Sequence, residues 1–282
     1  MNHNHRSYRL LALDADGTLF ADDLQVRPAV REAIHAAQAR GVVVVLATGR
    51  SALGAQAIAR SVGLNGPIIS YQGAMVHDPT GQQVWLSRTF PRALIDELLD
   101  WAEPRDLDVT VYVDNLIYLK ELRHPTEFYD RWFGLPLRVV PHLRAAIPGD
   151  PTKFLIIADP ATNDLLTPEL EALFAGRLEI TRSHALFLEG TALGVSKGTA
   201  LAYLAARLGI PREEIIAVGD AGNDLEMLRW AGLGVAMGNA PRAVQAAADW
   251  IAPSVTEDGV AEVIRRFILS PSADGHEDAP CS

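Results

Sequence analysis

The fold is decided by residues 9–18, which read RLLALDADGT. Residues 9–13 form an apolar run that is typical of a buried strand ending at a polar loop. Asp14 and Asp16 flank one residue of that loop, so an extended backbone can direct both carboxylates toward one centre. Gly17 permits close approach of the backbone to a ligand. Asp at a strand end is often only a turn former, but a carboxylate nucleophile beside a second carboxylate suits covalent phosphoryl transfer.

Strands and helices alternate outward from this stretch, and the alternation predicts an α/β fold with a Rossmann-like parallel sheet. The all-apolar strand at 42–46 indicates burial on both faces of that sheet. After the first strand, we predict helices over 26–40 and 51–62 and strands over 42–46 and 67–70. The same rhythm resumes near residue 194, with helices over 196–208, 225–230, 241–247 and 260–269 and strands over 215–218 and 234–237.

The middle of the chain has a different rhythm and carries most of the aromatic residues, which predicts an inserted α+β domain. Here we predict helices over 91–103, 126–133 and 168–175, a strand over 153–158, and hairpins over 109–120 and 178–189. The first hairpin would turn at Asp114-Asn115. The predicted division is a core over 1–80 and 191–269, an inserted domain over 81–190 with hinges near Gly81 and Gly190, and a disordered tail over 270–282.

Further polar residues follow the other strands, at the edge where open parallel sheets bind ligands. Thr48 and Gly49 would open a helix, where Thr is a common cap and where the hydroxyl and helix amides can hold a phosphate. Lys197 begins another helix, which is an electrostatically poor place for a cation. We therefore expect Lys197 to neutralise a carboxylate and a phosphate instead of lying exposed.

Three oxygen-bearing side chains follow the strand at 215–218, namely Asp220, Asn223 and Asp224. A turn with a helix cap would explain them, but acidic groups packed at a sheet edge repel one another without a cation. Oxygen ligands together with a substrate phosphate are what magnesium prefers. The sequence therefore predicts a Mg²⁺ site at this edge.

Taken together, these motifs resemble the haloacid dehalogenase superfamily, specifically Cof-type phosphatases with a type IIB cap. The resemblance covers the chain from residue 10 to about 267. It implies that Asp14 is the nucleophile and that Asp16 is the general acid and base. The motifs are LDADGTL at 13–19, ATGR at 47–50, GVSKG at 194–198 and GDAGND at 219–224, in the family order.

The resemblance also implies the remaining roles. Thr48, Gly49, Lys197 and Asn223 would bind the phosphoryl group. Asp14, the backbone carbonyl of Asp16, Asp220 and Asp224 would form the metal site, with Asp224 acting directly or by orienting Lys197, the phosphate or metal-bound water.

One residue departs from the family pattern, because Gln72 stands where Asn is usual, and we assign it no role. Several histidines and aromatic residues that resemble substrate contacts are also left unassigned, since most are expected in the cap core or on the surface. They are His77, His124, His142, His184, Trp85, Trp101, Tyr112, Tyr118, Tyr129 and Trp132.

The sequence predicts a magnesium-dependent phosphatase of a small phosphorylated metabolite, such as a sugar phosphate, a nucleotide or a phosphorylated cofactor. Two alternatives stay open: a phosphomutase on the same core, and a non-enzymatic switch phosphorylated on Asp14. The net charge of −10 argues against nucleic acid as the main partner. No segment has the roughly 20 apolar residues that span a bilayer, the single cysteine is Cys281, and a cytoplasmic location is expected. The oligomeric state cannot be predicted from the sequence.

Overall fold

The computed structural model describes residues 7–270 of the chain. The predicted disordered tail, with Cys281, lies outside these residues except for Ser270. The strands are β1 (Leu10–Leu13), β2 (Val43–Ala47), β3 (Ile68–Ser70), β4 (Met75–His77), β5 (Val84–Ser87), β6 (Asp108–Val113), β7 (Leu116–Leu119), β8 (Leu137–Val139), β9 (Lys153–Ile157), β10 (Leu178–His184), β11 (Phe187–Ala192), β12 (Ile215–Gly219), β13 (Leu233–Ala236) and β14 (Trp250–Ile251). The α-helices are α1 (Pro28–Ala39), α2 (Ala52–Val62), α3 (Ala93–Ala102), α4 (Thr126–Trp132), α5 (Leu143–Ala146), α6 (Pro160–Leu173), α7 (Lys197–Leu208), α8 (Leu225–Trp230), α9 (Arg242–Gln245) and α10 (Gly259–Ile264).

The first sheet has the order β14-β13-β12-β1-β2-β3-β4-β5. Its strands from β14 to β3 pair in parallel, and β4 and β5 continue it in antiparallel. Strand β1 lies near the middle, where Leu10 is in register with Ile215 on one side and with Val43 on the other. This confirms the predicted α/β class with a parallel-rich central sheet.

Apolar side chains cover both faces of this sheet, as the continuous apolar runs require. Leu11 and Leu13 face one cluster, which includes Ile34 of α1 and Val260 of α10. Leu10 and Ala12 face the other, which includes Leu201 of α7 and Met227 of α8. Because side chains alternate across a strand, β1 is fixed from both sides and its carboxyl end is held at one position of the sheet edge.

The second sheet has the order β10-β11-β9-β6-β7-β8 and is antiparallel except for the β7–β8 pair. The predicted hairpin turn is confirmed, since Asp114 and Asn115 both have positive φ angles, 47° and 61°. One face of the sheet packs on α3, α5 and α6. The other packs on residues that flank the first sheet, including Ala52 of α2 and Tyr71 after β3.

The predicted boundaries of the insertion need correction. Strand β5 lies inside the predicted range 81–190, but it pairs with β4 in the first sheet. The predicted hinge at Gly81 is the turn between these two strands, and Gly190 lies within β11, opposite Phe154 of β9. The chain therefore passes between the sheets after β5 and after β11.

One helix boundary was also wrong, because α6 begins eight residues before the predicted start at 168. Asp159 accepts hydrogen bonds from the backbone amides of Ala161 and Thr162, and Pro160 occupies the first turn. This is a strong N-terminal signal, and Pro168 was wrongly taken as the start.

Other elements differ in length or were not predicted. The helix predicted over 241–247 is the shorter α9, and the one predicted over 260–269 becomes a π-helix after Ile264. The prediction omitted the short strands β4, β5, β8 and β14. None of the helices in residues 7–270 is long and apolar enough to cross a membrane.

Candidate active site

The end of β1 places Asp14 against Lys197. The Lys197 Nζ donates to Asp14 Oδ1 at 2.5 Å and to Asp224 Oδ1 at 2.7 Å. Lys197 is the first residue of α7 and is 1% exposed. Ser196 caps this helix by accepting from the Thr199 amide. The helix start therefore directs a cation inward to two carboxylates, as its unusual position suggested.

Burial dominates the electrostatics of this group. It raises the pKa of Asp14 well above its ordinary value, an effect that the Lys197 ammonium opposes. Burial alone lowers the pKa of Lys197, but the charges of Asp14 and Asp224 outweigh it and raise that pKa. Burial, and then the charge of Asp224, raises the pKa of Asp220 to about 7.

The loop after β12 completes an acidic group. One carboxylate oxygen from each of Asp14, Asp220 and Asp224 lies within 4.8 Å of the others. Gly17 has a φ of 84°, and a Cβ at this position would overlap the Asp220 carboxylate. The Thr18 hydroxyl donates to Asp220 Oδ1 at 3.0 Å. Three carboxylates around one ammonium form a donor set that fits a hard divalent cation.

The two oxygens of Asp224 are already engaged. Oδ1 accepts from Lys197, and Oδ2 accepts from the backbone amides of Asp220 and Ala221 at 2.9 and 3.0 Å. Asp224 is fully buried. These contacts fit a residue that positions Lys197 and the loop.

Thr48 and Gly49 lie at the end of β2, but they precede α2 instead of opening it. Ser51 is the N-cap of that helix and accepts from the Gly54 amide at 3.2 Å. The prediction that Thr48 caps the helix was therefore wrong. Thr48 is buried, and its hydroxyl accepts from the Arg50 amide at 3.2 Å.

Asp16 is held by Arg50, a residue of the ATGR motif to which the sequence analysis gave no role. The guanidinium makes a bidentate pair with Asp16, with N–O distances of 2.8 and 2.6 Å. It also donates to the backbone carbonyl of Arg131 at 2.9 Å. Arg50 thus connects the second acidic residue to the last turn of α4. Its place directly after a strand-end Thr-Gly was an available signal.

Asn223 lies close to the acidic group but binds a side chain of another loop. Its Nδ2 donates to Gln72 Oε1 at 2.9 Å, and its Oδ1 is buried without a hydrogen-bond partner among residues 7–270. In this orientation the Nδ2 donor that a phosphoryl oxygen would need is bonded to Gln72.

A cavity of about 60 Å³ lies between the two sheets. We call its lining from the first sheet's loops the floor and its lining from the second sheet and α4 the roof. The floor comprises Asp14, Asp16, Thr48, Gly49, Arg50, Ser51, Ala221 and Asn223. The roof comprises Tyr112, Trp132, Phe133, Lys153, Leu155, Ser183, His184, Phe187 and Glu189.

The roof contains residues that the sequence analysis left unassigned or did not consider. Tyr112, Trp132 and His184 line the cavity, although such residues were expected mostly in the core or on the surface. Lys153 and Glu189 form a buried ion pair at 3.0 Å. Each of these two charged residues lies in a strand without other charges, Lys153 in β9 and Glu189 in β11. That placement was the local sequence signal for a buried pair.

The arrangement matches a known family. A model of haloacid dehalogenase-like hydrolases matches residues 11–264. The chain belongs to the haloacid dehalogenase-like hydrolases. Within the family it is a Cof-type phosphoric monoester hydrolase, and its second sheet, with the helices packed on it, is a type IIB cap.

Three relatives illustrate the similarity. The chain is 33% identical to a 5-amino-6-(5-phospho-D-ribitylamino)uracil phosphatase of Bacillus subtilis, over 93% of this chain and 96% of the relative. A solved haloacid dehalogenase-like hydrolase from Bacteroides thetaiotaomicron is 31% identical with a TM-score of 0.82, covering 93% of this chain and 100% of its own. A solved sugar phosphatase of subclass IIB is 25% identical with a TM-score of 0.77, covering 92% and 98%.

Proposed function

We propose that this hydrolase is a Mg²⁺-dependent phosphatase that cleaves a small phosphorylated metabolite through a phosphoaspartate at Asp14. The observation that carries the proposal is the buried Asp14 carboxylate, bonded to Lys197 at 2.5 Å and lining a cavity beside Thr48. A carboxylate held by an ammonium in a dry site suits attack on phosphorus, because the same ammonium can neutralise the phosphoryl oxygens. The relatives named for a ribityl phosphate and for sugar phosphates support a small, polar leaving group.

In the first half of the reaction, an Asp14 oxygen attacks phosphorus and the bond to the leaving oxygen breaks. Asp16 gives that oxygen a proton. In the second half, Asp16 takes a proton from a water that attacks the phosphoryl group, and inorganic phosphate leaves Asp14 in its original form. To reach the leaving group, the Asp16 side chain must release Arg50. The Asp16–Arg50 ion pair, at 2.6 Å, therefore describes the enzyme before substrate binds.

We assign the metal to Asp14, Asp220 and the backbone carbonyl of Asp16, with Asp224 positioning Lys197. When bound, Mg²⁺ would withdraw charge from the phosphoryl oxygens. Lys197 and the Thr48 hydroxyl hold those oxygens from the protein side. The buried position of Asp14 and Lys197 excludes water from the nucleophile, which strengthens these interactions.

The test is phosphate release from para-nitrophenyl phosphate and from a panel of phosphorylated metabolites, with Mg²⁺ and with EDTA. We expect many turnovers with Mg²⁺ and none in EDTA, with activity restored by added Mg²⁺. A mutase would release little phosphate, and a switch would give at most one turnover. Full activity of metal-free protein in EDTA would contradict the proposed metal site.

A further inference from the structure

Gln72 has an unfavourable backbone for its residue type. Its φ is 59° and its ψ is 16°, in the left-handed region, which Asn adopts more readily than Gln does. The residue is 2% exposed, and its backbone N–H donates to the Thr48 carbonyl at 3.2 Å. A strained buried residue persists only where its surroundings hold it, so the contacts of its side chain are informative.

The Gln72 carboxamide joins the floor to the roof. Its Oε1 accepts from Asn223 at 2.9 Å, and its Nε2 donates to Glu189 Oε2 at 3.3 Å. It also lies against Gly49, where an added Cβ would overlap the amide. One side chain therefore contacts both phosphate-binding loops of the core and the cap.

The cap side of this bridge is the buried ion pair. Glu189 is 2% exposed and accepts from Lys153 at 3.0 Å, from Gln72, and from the Ser183 hydroxyl. Lys153 in turn donates to the Gly49 carbonyl at 3.1 Å. Buried charges require such partners, and two of these contacts, to Gln72 and to the Gly49 carbonyl, form only when the cap lies against the core.

The contact at Gly49 reaches the Thr48 hydroxyl. The Gly49 carbonyl and the Arg50 amide belong to one planar peptide group. Lys153 holds the carbonyl end, and the amide end donates to Thr48 Oγ1 at 3.2 Å. A hydroxyl that accepts this bond keeps its own proton for a phosphoryl oxygen.

We propose that Gln72 is a positioning residue that, with the Lys153–Glu189 pair, aligns the phosphoryl-binding loops when the cap closes. Gln72 fixes Asn223 and packs on Gly49, and the ion pair fixes the peptide that orients Thr48. The inference rests on the proposed phosphatase function. It predicts that a shorter carboxamide at residue 72 disturbs turnover without disturbing the fold.

The first test compares Gln72→Asn with Gln56→Asn. Asn suits the left-handed backbone, but with one carbon fewer it cannot reach both Asn223 and Glu189. Gln56 is a buried control whose Nε2 donates to the Gly81 carbonyl at 3.0 Å, outside the cavity lining. We expect kcat for para-nitrophenyl phosphate to fall about tenfold in Gln72→Asn, with its thermal midpoint unchanged or higher, and kcat to stay at the wild-type value in Gln56→Asn.

Steady-state kinetics on folded, Mg²⁺-loaded protein decide the matter. A wild-type kcat in Gln72→Asn, or a loss seen only in KM for a metabolite, would overturn the positioning role. If the wild-type enzyme itself released no phosphate, the proposed function would fail and this inference with it.

The second test asks whether Gln72 and Glu189 act together. In a double-mutant cycle with Glu189→Gln, residues of one network give a combined loss in kcat smaller than the product of the single losses. A combined loss equal to that product would show independent action and overturn the bridge. If Glu189→Gln does not fold, the Gln72→Asn comparison decides alone.

Discussion

The floor and the roof of the cavity differ in origin and in charge. The floor comes from strand-end loops of the first sheet. Asp14 of the floor lies close to the carboxylates of Asp220 and Asp224, and the Lys197 ammonium bonds to Asp14 and Asp224. The roof comes from α4 and several cap strands. Its lining combines the Lys153–Glu189 ion pair, whose charges balance, with aromatic and apolar side chains. Under the proposed function, the floor would perform chemistry common to all phosphate esters, whereas the roof would meet the part of the ligand that differs between substrates.

The largest effect is expected on the floor, at Asp14. Asp14→Asn keeps the size of the side chain but removes the nucleophile and a metal ligand, so turnover should fall by at least about 10⁴-fold. The fold should survive, because the amide can still contact Lys197. The rate of phosphate release measures the loss of turnover, and circular dichroism checks that the variant is folded. Activity within tenfold of wild type would remove Asp14 from the mechanism.

Lys197 provides the next largest effect. Lys197→Met removes the cation between Asp14 and Asp224, and we expect a loss in kcat of about 10²–10³-fold. The buried carboxylates lose their partner, so the free energy of unfolding should fall by about 3–5 kcal/mol. Chemical denaturation and kinetics on the same samples test both. The matched control is Lys120→Met at an exposed lysine, and equal effects of the two variants would argue against this role.

A smaller and selective effect is expected on the roof. Trp132 packs on His184 and Phe187, with ring centroids 4.7 and 5.1 Å apart. Trp132→Ala should change the ratio of kcat/KM between the best metabolite and para-nitrophenyl phosphate by about tenfold. Trp101→Ala alters a tryptophan on the opposite face of the cap and should leave the ratio unchanged. A uniform loss on every substrate would break the distinction between floor and roof.

The smallest effect is expected at His77, outside both regions. Burial lowers the pKa of His77, and its ring nitrogens lack hydrogen-bond partners among residues 7–270. The unfolded chain therefore binds the proton more readily, so His77 should decrease stability as pH falls below about 6.5. The thermal midpoint should drop less between pH 7.5 and 5.5 in His77→Leu than in wild type. An identical drop in both proteins would contradict this.

The floor could be predicted from the sequence because each of its residues lies within or directly beside a short motif at the end of an apolar strand. Parallel strands bring those ends together whatever the details of packing. Asp14, Asp16, Thr48 and Asn223 accordingly meet at one cavity. Arg50 and Gln72 were within reach of the same reasoning, but their partners lie on other segments.

The roof could not be predicted, because its geometry depends on how a second sheet packs on the first. Lys153 and Glu189 are 36 residues apart in the sequence and meet only because β9 and β11 pair. The boundary of the insertion was missed for a related reason. Strand β5 is short and partly exposed at the sheet edge, so it lacks the continuous apolar run that marks the central strands.

The central claim is that Asp14 carries the phosphoryl group between the two halves of the reaction. The direct measurement uses Asp16→Asn, which should slow hydrolysis more than formation when the leaving group is good. The variant is mixed with Mg²⁺ and para-nitrophenyl phosphate, quenched in acid and reduced with borohydride, which converts an aspartyl phosphate to homoserine. We expect mass spectrometry to find homoserine at residue 14 and at no other aspartate. Homoserine at another position, or none while para-nitrophenol is released in a burst, would contradict the account.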